Sequence, residues 1–380
     1  MTSRPFLGLA IALVMFPQIA QTLYSPALAD ISLTFAVSAE MAAQMLSVFF
    51  LGFALGVVMW GRVCDRIGRR PAMLGGLALY ALGTVLGLNV DTFDALLAVQ
   101  ALAAFGAAVG SVVTQTILRD RYQGAELGKV FSVIGIALAA SPAIGLSSGA
   151  SLVRLFGYQG ALGGLLMLSL MLLLWSARSL PETLAVRVPS QPLLATLWRM
   201  LKDPVIWRSS FLVAAFNVAL FSYYNLAPFQ FERLGLSPEL FGYSGIILAL
   251  GSGLGAWLNK LLLARGFDGC QLSAVAAIVL LMGGISVQGL LDSAGFVVAM
   301  LLIVLAFGMA IPNVLGAALV RYGDCLGTAG ALFGLFYYLL IGGALMLAAW
   351  FQALGWTLIL CGSLAVCLTV HLVWERACSR

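Results

Sequence analysis

Charge is what this sequence has least of. Lys, Arg, Asp and Glu make up 9% of the 380 residues, against about 25% in a typical soluble domain, and the mean hydropathy is +1.05. With a single histidine, no Ser/His/Asp, Cys/His or paired-acid set falls at one depth of an apolar run, so the sequence does not support an intramembrane enzyme. Six cysteines without CxxC or metal-type spacing indicate neither a disulfide framework nor a metal site, and no cofactor is expected.

Long apolar runs fill the rest of the chain. A bilayer is crossed by about 20 apolar residues, and this window predicts an all-α membrane protein with twelve transmembrane helices, spans 1 to 12, at 6–27, 41–60, 72–89, 94–117, 128–150, 158–177, 207–230, 241–262, 271–291, 295–319, 327–350 and 354–374. The longest polar segment, with Pro181, Pro189 and Pro192, separates spans 6 and 7. We therefore expect an N-terminal six-helix half at 1–178, a cytoplasmic linker at 179–206 and a C-terminal six-helix half at 207–380.

The basic residues are distributed asymmetrically. If the N-terminus is cytoplasmic, 18 of the 20 Lys and Arg lie in cytoplasmic segments, and only Arg154 and Arg233 lie outside. Because Lys and Arg resist translocation, both termini are expected in the cytoplasm. The net charge of +5 is then a topology signal, and no nucleic-acid partner is expected.

Glycines four residues apart recur in the predicted spans. The pairs lie at 52 and 56, 106 and 110, 145 and 149, 251 and 255, and 330 and 334. Such pairs let helix backbones approach closely, so we expect them to serve helix packing.

One segment interrupts the apolar pattern. Residues 61–70, GRVCDRIGRR, hold five charges between spans 2 and 3. A positive cytoplasmic anchor would explain the arginines but not Asp65 or the two glycines. The pattern GxxxDRxGRR after a second span, in a chain of twelve spans in two halves, resembles the loop signature of the major facilitator superfamily.

The resemblance implies a secondary active transporter, not an enzyme, which works by alternating access of its two halves. In that family the loop is a conformational latch, whose residues here would be Gly61, Asp65, Arg66, Gly68, Arg69, Arg70 and Asp120. Asp65 would face the first turn of span 11 near 327–328, where a helix dipole favours negative charge. Arg66 would pair with Asp120 at the end of span 4, and Gly61 and Gly68 would permit a tight turn.

Further stretches resemble the Bcr/CflA (bicyclomycin-resistance) branch of drug:proton antiporters. They are YSPAL at 24–28, MLSVFFLGFALG at 45–56 and LPETL at 180–184. SPAIG at 141–145 resembles a degraded form of the antiporter motif GPxxGG. Its Pro142 and Gly145 would form a kink in span 5. The branch implies a monomeric multidrug-efflux antiporter of the bacterial inner membrane, engaged in xenobiotic export.

Two departures from the branch concern charge. The branch usually has an aspartate near the end of span 1 and an arginine in span 4, where this chain has Gln21-Thr22 and Gln100. Gln21 lies about 22 Å from the inner start of span 1, and Gln100 about 9 Å from the outer start of span 4. Their depths nearly coincide, so we expect the two amides to be able to bond each other.

An amide does not titrate, so this pair cannot carry a proton. The outer acids nearest the helices are the remaining candidates for proton coupling: Asp30, Glu40 and Asp94. The alternative for all three is a role as solvated helix caps.

Polar and aromatic side chains inside the spans are the candidates for substrate binding, at the midplane where transporters of this class bind. They are Gln18, Gln21, Tyr24, Gln100, Gln115, Asn217, Tyr224, Asn225, Asn313 and Tyr337. Together they offer amides and aromatic rings but no fixed charge, which favours a neutral or internally balanced, medium-sized amphipathic compound. Toxic drugs and a dedicated natural product such as a siderophore are competing substrate classes. A membrane receptor or scaffold that does not transport is a third reading.

Overall fold

The computed structural model describes residues 4–184 and 193–378, and it describes the side chains in these ranges except at 4, 5, 125, 324 and 371–378. Every regular element in these ranges is a helix. The α-helices are α1 Arg4–Tyr24, α2 Leu28–Thr34, α3 Ala39–Ala42, α4 Gln44–Ile67, α5 Arg69–Gly87, α6 Phe93–Arg121, α7 Gly124–Ser179, α8 Leu193–Leu201, α9 Pro204–Arg233, α10 Pro238–Ala264, α11 Gly269–Leu290, α12 Gly295–Ala318, α13 Leu326–Phe351 and α14 Leu354–Cys378. Short 3₁₀ turns at Ser25–Ala27 and Val320–Cys325 precede α2 and α13.

The predicted all-α fold with twelve spanning helices is confirmed. Within the described ranges, nine helices are long and apolar enough to cross a membrane. One of these, Glu126–Ser179, has 54 residues, and α7 leaves helical dihedral angles at Gly157 (φ 65°, ψ −164°), so it provides spans 5 and 6. The shorter helix α5 and the apolar part of α14, Leu354–Val370, complete the twelve.

The chain divides into two compact units, Met1–Pro192 and Leu193–Arg380. The first has a core that includes Phe16, Phe49 and Phe50, which are all but completely buried. In the second, Phe231 packs edge-on against Phe241 and Phe296, with ring centroids 5.4 and 5.5 Å away. The predicted linker at 179–206 stays a prediction: its residues 185–192 lie outside the described part of the chain.

Close backbone approach at glycine joins helices in the same way in both units. A Cβ added to Gly56 in α4 would lie 2.5 Å from the carbonyl oxygen of Phe105 in α6. A Cβ added to Gly255 in α10 would likewise collide with the carbonyl oxygen of Leu305 in α12. Helices in lipid gain little from the hydrophobic effect, so this contact through small residues supplies their packing. Gly330 does not take this role, because a Cβ added there would lie 3.9 Å from its nearest neighbour, Cδ1 of Leu319.

Two glycines of α10 give a test of this packing. Gly255→Ala should lower the stability of the protein by about 1–3 kcal/mol, because the new methyl group overpacks the α12 backbone. Gly253→Ala should be neutral or stabilising by up to about 1 kcal/mol, since nothing lies within 4 Å of a Cβ there. Thermal unfolding of both variants in detergent measures the difference, and equal midpoints would contradict the packing role.

Candidate functional site

A single residue forms the turn between α4 and α5. Helix α4 continues to Ile67 and α5 begins at Arg69, so only Gly68 lies between them. Gly68 has φ 105°, a backbone conformation that favours glycine. The prediction that Gly61 belongs to this turn is wrong: Gly61 lies inside α4, because residues 61–67 contain no proline or other strong helix breaker.

The side chain of Arg69 is the centre of the charged cluster that follows this turn. Its side chain is only 9% exposed. The Nε atom donates to Oδ2 of Asp120 at 3.0 Å, and Nη1 lies 2.9 Å from Oδ1 of Asp65. Nη1 also donates to the carbonyl oxygen of Cys64 at 2.9 Å. We call Asp65, Arg69, Asp120, Glu182 and Thr183 the Arg69 cluster.

The expected pair of Arg66 with Asp120 is replaced by the pair of Arg69 with Asp120. Arg66 lies in the last turn of α4 with an exposed side chain, and none of its nitrogen atoms is within 4.0 Å of an acidic oxygen in the described part of the chain. Arg69 is on the far side of the Gly68 turn and is turned inward. The turn therefore decides which arginine reaches α6.

Glu182 closes the Arg69 cluster, a role that the motif LPETL alone does not predict. Its carboxylate accepts hydrogen bonds from the backbone N–H groups of Arg69 at 2.9 Å and Arg70 at 3.1 Å, which are at the N-terminus of α5. The backbone N–H groups of Thr183 and Leu184 also donate to it, both at 2.9 Å. A carboxylate at a helix N-terminus satisfies free N–H groups and complements the helix dipole.

Thr183 connects this cap to the ion pairs. Its hydroxyl donates to Oδ2 of Asp120 at 2.9 Å, the same oxygen that binds Arg69. A Cβ on Gly68 would also collide with the carboxylate of Glu182, so glycine is required there for close approach as well as for its dihedral angles. The ends of α4, α5, α6 and α7 are thereby joined by one network. A useful signal in the sequence was the acid of LPETL, which follows span 6 on the same predicted side as 61–70.

The candidate substrate residues inside the helices fall into two groups, according to whether their polar atoms are hydrogen-bonded. Some are bonded within their own unit: Asn217 donates to the carbonyl oxygen of Val213 at 2.8 Å. Asn313 donates to Asn259 Oδ1 at 2.8 Å and to the carbonyl oxygen of Met309 at 2.9 Å. Further candidates contact side chains of their own helix: Gln115 donates to Ser111 Oγ at 3.4 Å, and the ring of Tyr337 lies 5.3 Å from that of Phe333.

A second group of interior polar atoms is buried without a hydrogen-bond partner in the described part of the chain. It includes Gln21 Oε1 and the Tyr24 hydroxyl in the first unit, and both amide atoms of Asn225 in the second. Tyr224, next to Asn225, is also buried and packs edge-on against Phe221 at 5.6 Å. Gln18 and Gln100 are half-buried.

The predicted bond between Gln21 and Gln100 is wrong. Among the described residues, no hydrogen bond joins these side chains, and Gln21 Oε1 has no partner. Gly110 in α6 meets Leu13 and Pro17 in α1. From that contact, at 1.5 Å per residue, Gln100 lies about one helical turn farther along α6 than the level of Gln21.

The three acids proposed for proton coupling lie in the first turns of helices α2, α3 and α6. Asp30 accepts a hydrogen bond from the backbone N–H of Tyr158, just after α7 breaks at Gly157, and so caps the second segment of α7. Glu40 is half-buried and Asp94 is exposed. A role in proton coupling stays a prediction for each.

The predicted kink in span 5 also stays a prediction. The dihedral angles of α7 are helical at Pro142 and depart from helical values at Gly157. A Cβ on Gly145 would collide with the Thr22 hydroxyl, so α7 and α1 pack closely at this level.

Twelve spanning helices, uncharged polar side chains inside them and a charged network at the helix ends are features expected of a membrane transporter. The family model of the Major Facilitator Superfamily matches residues 9–347. The chain belongs to the major facilitator superfamily, and it is a transporter rather than an enzyme.

The relatives whose names state a role are distant in sequence. An uncharacterized transporter of Rickettsia felis is 30% identical over 84% of this chain and 83% of its own length. A chloramphenicol resistance protein of Pseudomonas aeruginosa is 25% identical over 85% of this chain and 77% of its own. A bicyclomycin resistance protein homolog of Haemophilus influenzae is 27% identical over 39% of this chain and 37% of its own. Similarity to the resistance proteins agrees with the branch that the sequence motifs resemble.

A solved structure shares the fold. The crystal structure of a D-xylose-proton symporter superposes with a TM-score of 0.73 at 16% identity and covers 96% of both chains. At this identity the match supports the fold alone.

The Glu182 cap predicts a dependence of stability on pH. Burial would raise the pKa of the Glu182 carboxyl, but hydrogen bonds from the N–H groups of Leu184, Arg69, Arg70 and Thr183 outweigh it and lower the pKa below its ordinary value. A lowered pKa contributes stability above the unfolded value of about 4.3, and this stability is lost as the pH falls through the folded value. The thermal midpoint of the wild type should therefore fall as the pH is lowered below about 4.5. In Glu182→Gln it should fall less steeply.

The matched control is Glu232→Gln, because the exposed carboxylate of Glu232 makes no hydrogen bond or ion pair in the described part of the chain. This variant should retain the full acid dependence of the wild type. An equally steep dependence in Glu182→Gln would contradict the cap.

Proposed function

We propose that this transporter is an exporter of neutral or internally balanced, medium-sized amphipathic compounds, driven by proton antiport. The observation that carries the proposal is the absence of charge in the membrane-spanning part of α1 and of α9, the first spanning helix of each unit. No charged residue occurs between Arg4 and Asp30 or between Arg208 and Glu232, whereas both helices hold buried polar atoms without partners in the described residues. Such helices can offer hydrogen bonds and aromatic surface to a cargo but no ionic contact.

The direction of transport and the class of cargo rest on similarity to resistance proteins. The names of two relatives refer to chloramphenicol and bicyclomycin. Resistance to a compound that acts inside the cell fits its removal from the cell, so multidrug efflux is the favoured form of the proposal. The proposed location is the bacterial inner membrane, and the protein is proposed to be a monomer. Both termini are proposed to be cytoplasmic, because that orientation leaves only Arg154 and Arg233 outside.

A dedicated natural-product exporter is the second candidate. Gln21 and Gln100 replace the charges that the branch usually carries, and they do not bond each other. Loss of a shared coupling element fits a transporter specialised for one cargo.

Within this proposal the Arg69 cluster is the conformational latch. It joins the ends of four helices of the first unit through Arg69, Asp120 and Glu182. The contact of Asp65 with the start of α13 at 327–328 stays a prediction.

The antiport proposal can be tested in proteoliposomes. Vesicles that are one pH unit more acidic inside should accumulate chloramphenicol up to about tenfold, because protons leaving the vesicle drive the compound in. A protonophore should abolish the accumulation. Independence from the pH gradient would contradict antiport. Accumulation that persists in Asp30→Asn, Glu40→Gln and Asp94→Asn alike would exclude these acids as proton carriers.

The latch makes a separate kinetic prediction. Asp120→Asn should slow turnover by up to about tenfold, equivalent to about 1.4 kcal/mol, because one carboxylate that holds Arg69 and Thr183 is neutralised. The KM should stay within about twofold, since the cluster lies away from the candidate substrate residues in the helix interiors. Asp91→Asn, at the opposite end of α6, is the control and should turn over normally. Normal turnover of Asp120→Asn would exclude the latch role of this pair.

A further inference from the structure

Asn225 in α9 is a polar side chain that the packing of its unit does not satisfy. It is fully buried, and neither Oδ1 nor Nδ2 has a hydrogen-bond partner within the described residues. Among those residues it is the only side chain with two such atoms. Buried polar groups are nearly always hydrogen-bonded, and an unpaired one is destabilising. An amide kept in this state indicates a partner that the chain itself does not supply.

Some other polar residues in the helices are hydrogen-bonded, unlike Asn225. Asn217, two turns earlier in α9, bonds the carbonyl of its own helix at Val213. Ser273 does the same at Gly269, at 2.8 Å. Asn225 makes no such bond, and neither does Ser222, whose hydroxyl is also buried without a partner in the described residues. Residues three apart lie on one face of a helix, so Ser222 and Asn225 form one polar patch.

The first helix of the other unit has a related arrangement. Tyr24, whose hydroxyl is buried without a partner in the described chain, comes two residues before Pro26. Asn225 comes three residues before Pro228. Proline contributes no backbone N–H, so neither turn can use that residue as a donor. The same kind of patch thus occurs near the end of the first spanning helix in both units.

The chemistry of an amide side chain limits what binds Asn225. Its Nδ2 atom offers two donor hydrogens, and its Oδ1 atom accepts. A carboxylate would accept a hydrogen bond from Nδ2 but repel Oδ1. An ammonium group would donate to Oδ1 but offer no acceptor to Nδ2. A neutral cargo that presents an N–H donor and an acceptor oxygen to this side chain pairs with both atoms.

We propose that Asn225, with Ser222 beside it, forms a substrate subsite for a neutral amide group. The proposal rests on the transport function and narrows its cargo to compounds that carry a primary or secondary amide. In the subsite, the amide N–H of the cargo donates to Oδ1, and a second oxygen of the cargo accepts from Nδ2. The absence of charge between Arg208 and Glu232 keeps the subsite selective for neutral cargo.

The test uses chloramphenicol, a neutral secondary amide, and its N-methyl derivative, which keeps the amide C=O but lacks the N–H. Equilibrium dialysis with the full-length protein in detergent measures both dissociation constants. Wild type should bind chloramphenicol about tenfold more tightly than the derivative, as expected for a lost buried hydrogen bond. In Asn225→Leu the two constants should agree within about twofold.

Ser273→Ala is the control, because the hydroxyl of Ser273 is already bonded within α11 at Gly269 and this residue is not a candidate for substrate binding. It should keep the tenfold preference. Asn225→Leu should be as stable as wild type or more so, since it removes an unpaired polar group; Asn225→Ala serves as a second variant if the leucine does not fit.

Two outcomes would overturn the subsite. One is a wild type that binds neither compound or binds both equally, and the other is a preference retained in both Asn225 variants. Because binding is measured without a gradient, its result is independent of the export assay. An intact preference without transport in vesicles would contradict the exporter proposal and leave the subsite standing.

Discussion

Hydrocarbon cannot form hydrogen bonds, and this constraint determines most of what the chain does. Every backbone N–H and C=O inside a bilayer must be hydrogen-bonded by the protein. A helix forms these bonds within its own segment, so a chain of this composition crosses the bilayer as helices. Because lipid tails are as apolar as leucine, the helices cannot be held together by apolar burial. Contacts such as Gly56 against Phe105 and Gly255 against Leu305 provide the packing instead.

The same constraint explains why charge collects at helix ends and why the buried Arg69 is paired there. Arg69 has only 9% of its side chain exposed, and it is held by two carboxylates and a backbone carbonyl. Glu182 in turn accepts four backbone N–H groups. The corresponding turn of the second unit is simpler: Asp268 and Gln271 cap α11 reciprocally within the same helix. The first unit joins the ends of four helices through charge, which is the property that a latch requires.

The number of spans was predictable because it depends on the length of apolar runs, and helix length across a bilayer is nearly fixed. The partners of charged side chains were not, because they depend on geometry at single residues. Gly61 and Gly68 look alike in the sequence, yet only Gly68 takes a positive φ, and that turn brings Arg69 rather than Arg66 to Asp120. Glu182 was recognisable as part of a motif, but its role as a cap depends on a contact across 113 residues of sequence.

The interior amides show why residue type alone does not identify a binding site. Asn313 and Asn225 are equally polar residues of spanning helices, and on sequence alone both were equal candidates for substrate binding. Asn313 exchanges hydrogen bonds with Asn259 and is thereby a structural link between α12 and α10. Asn225 has no such link within the described residues. In a bilayer the cost of an unpaired amide persists until something binds it, so the unsatisfied amide, rather than the most polar stretch, is the better guide to where a neutral cargo binds.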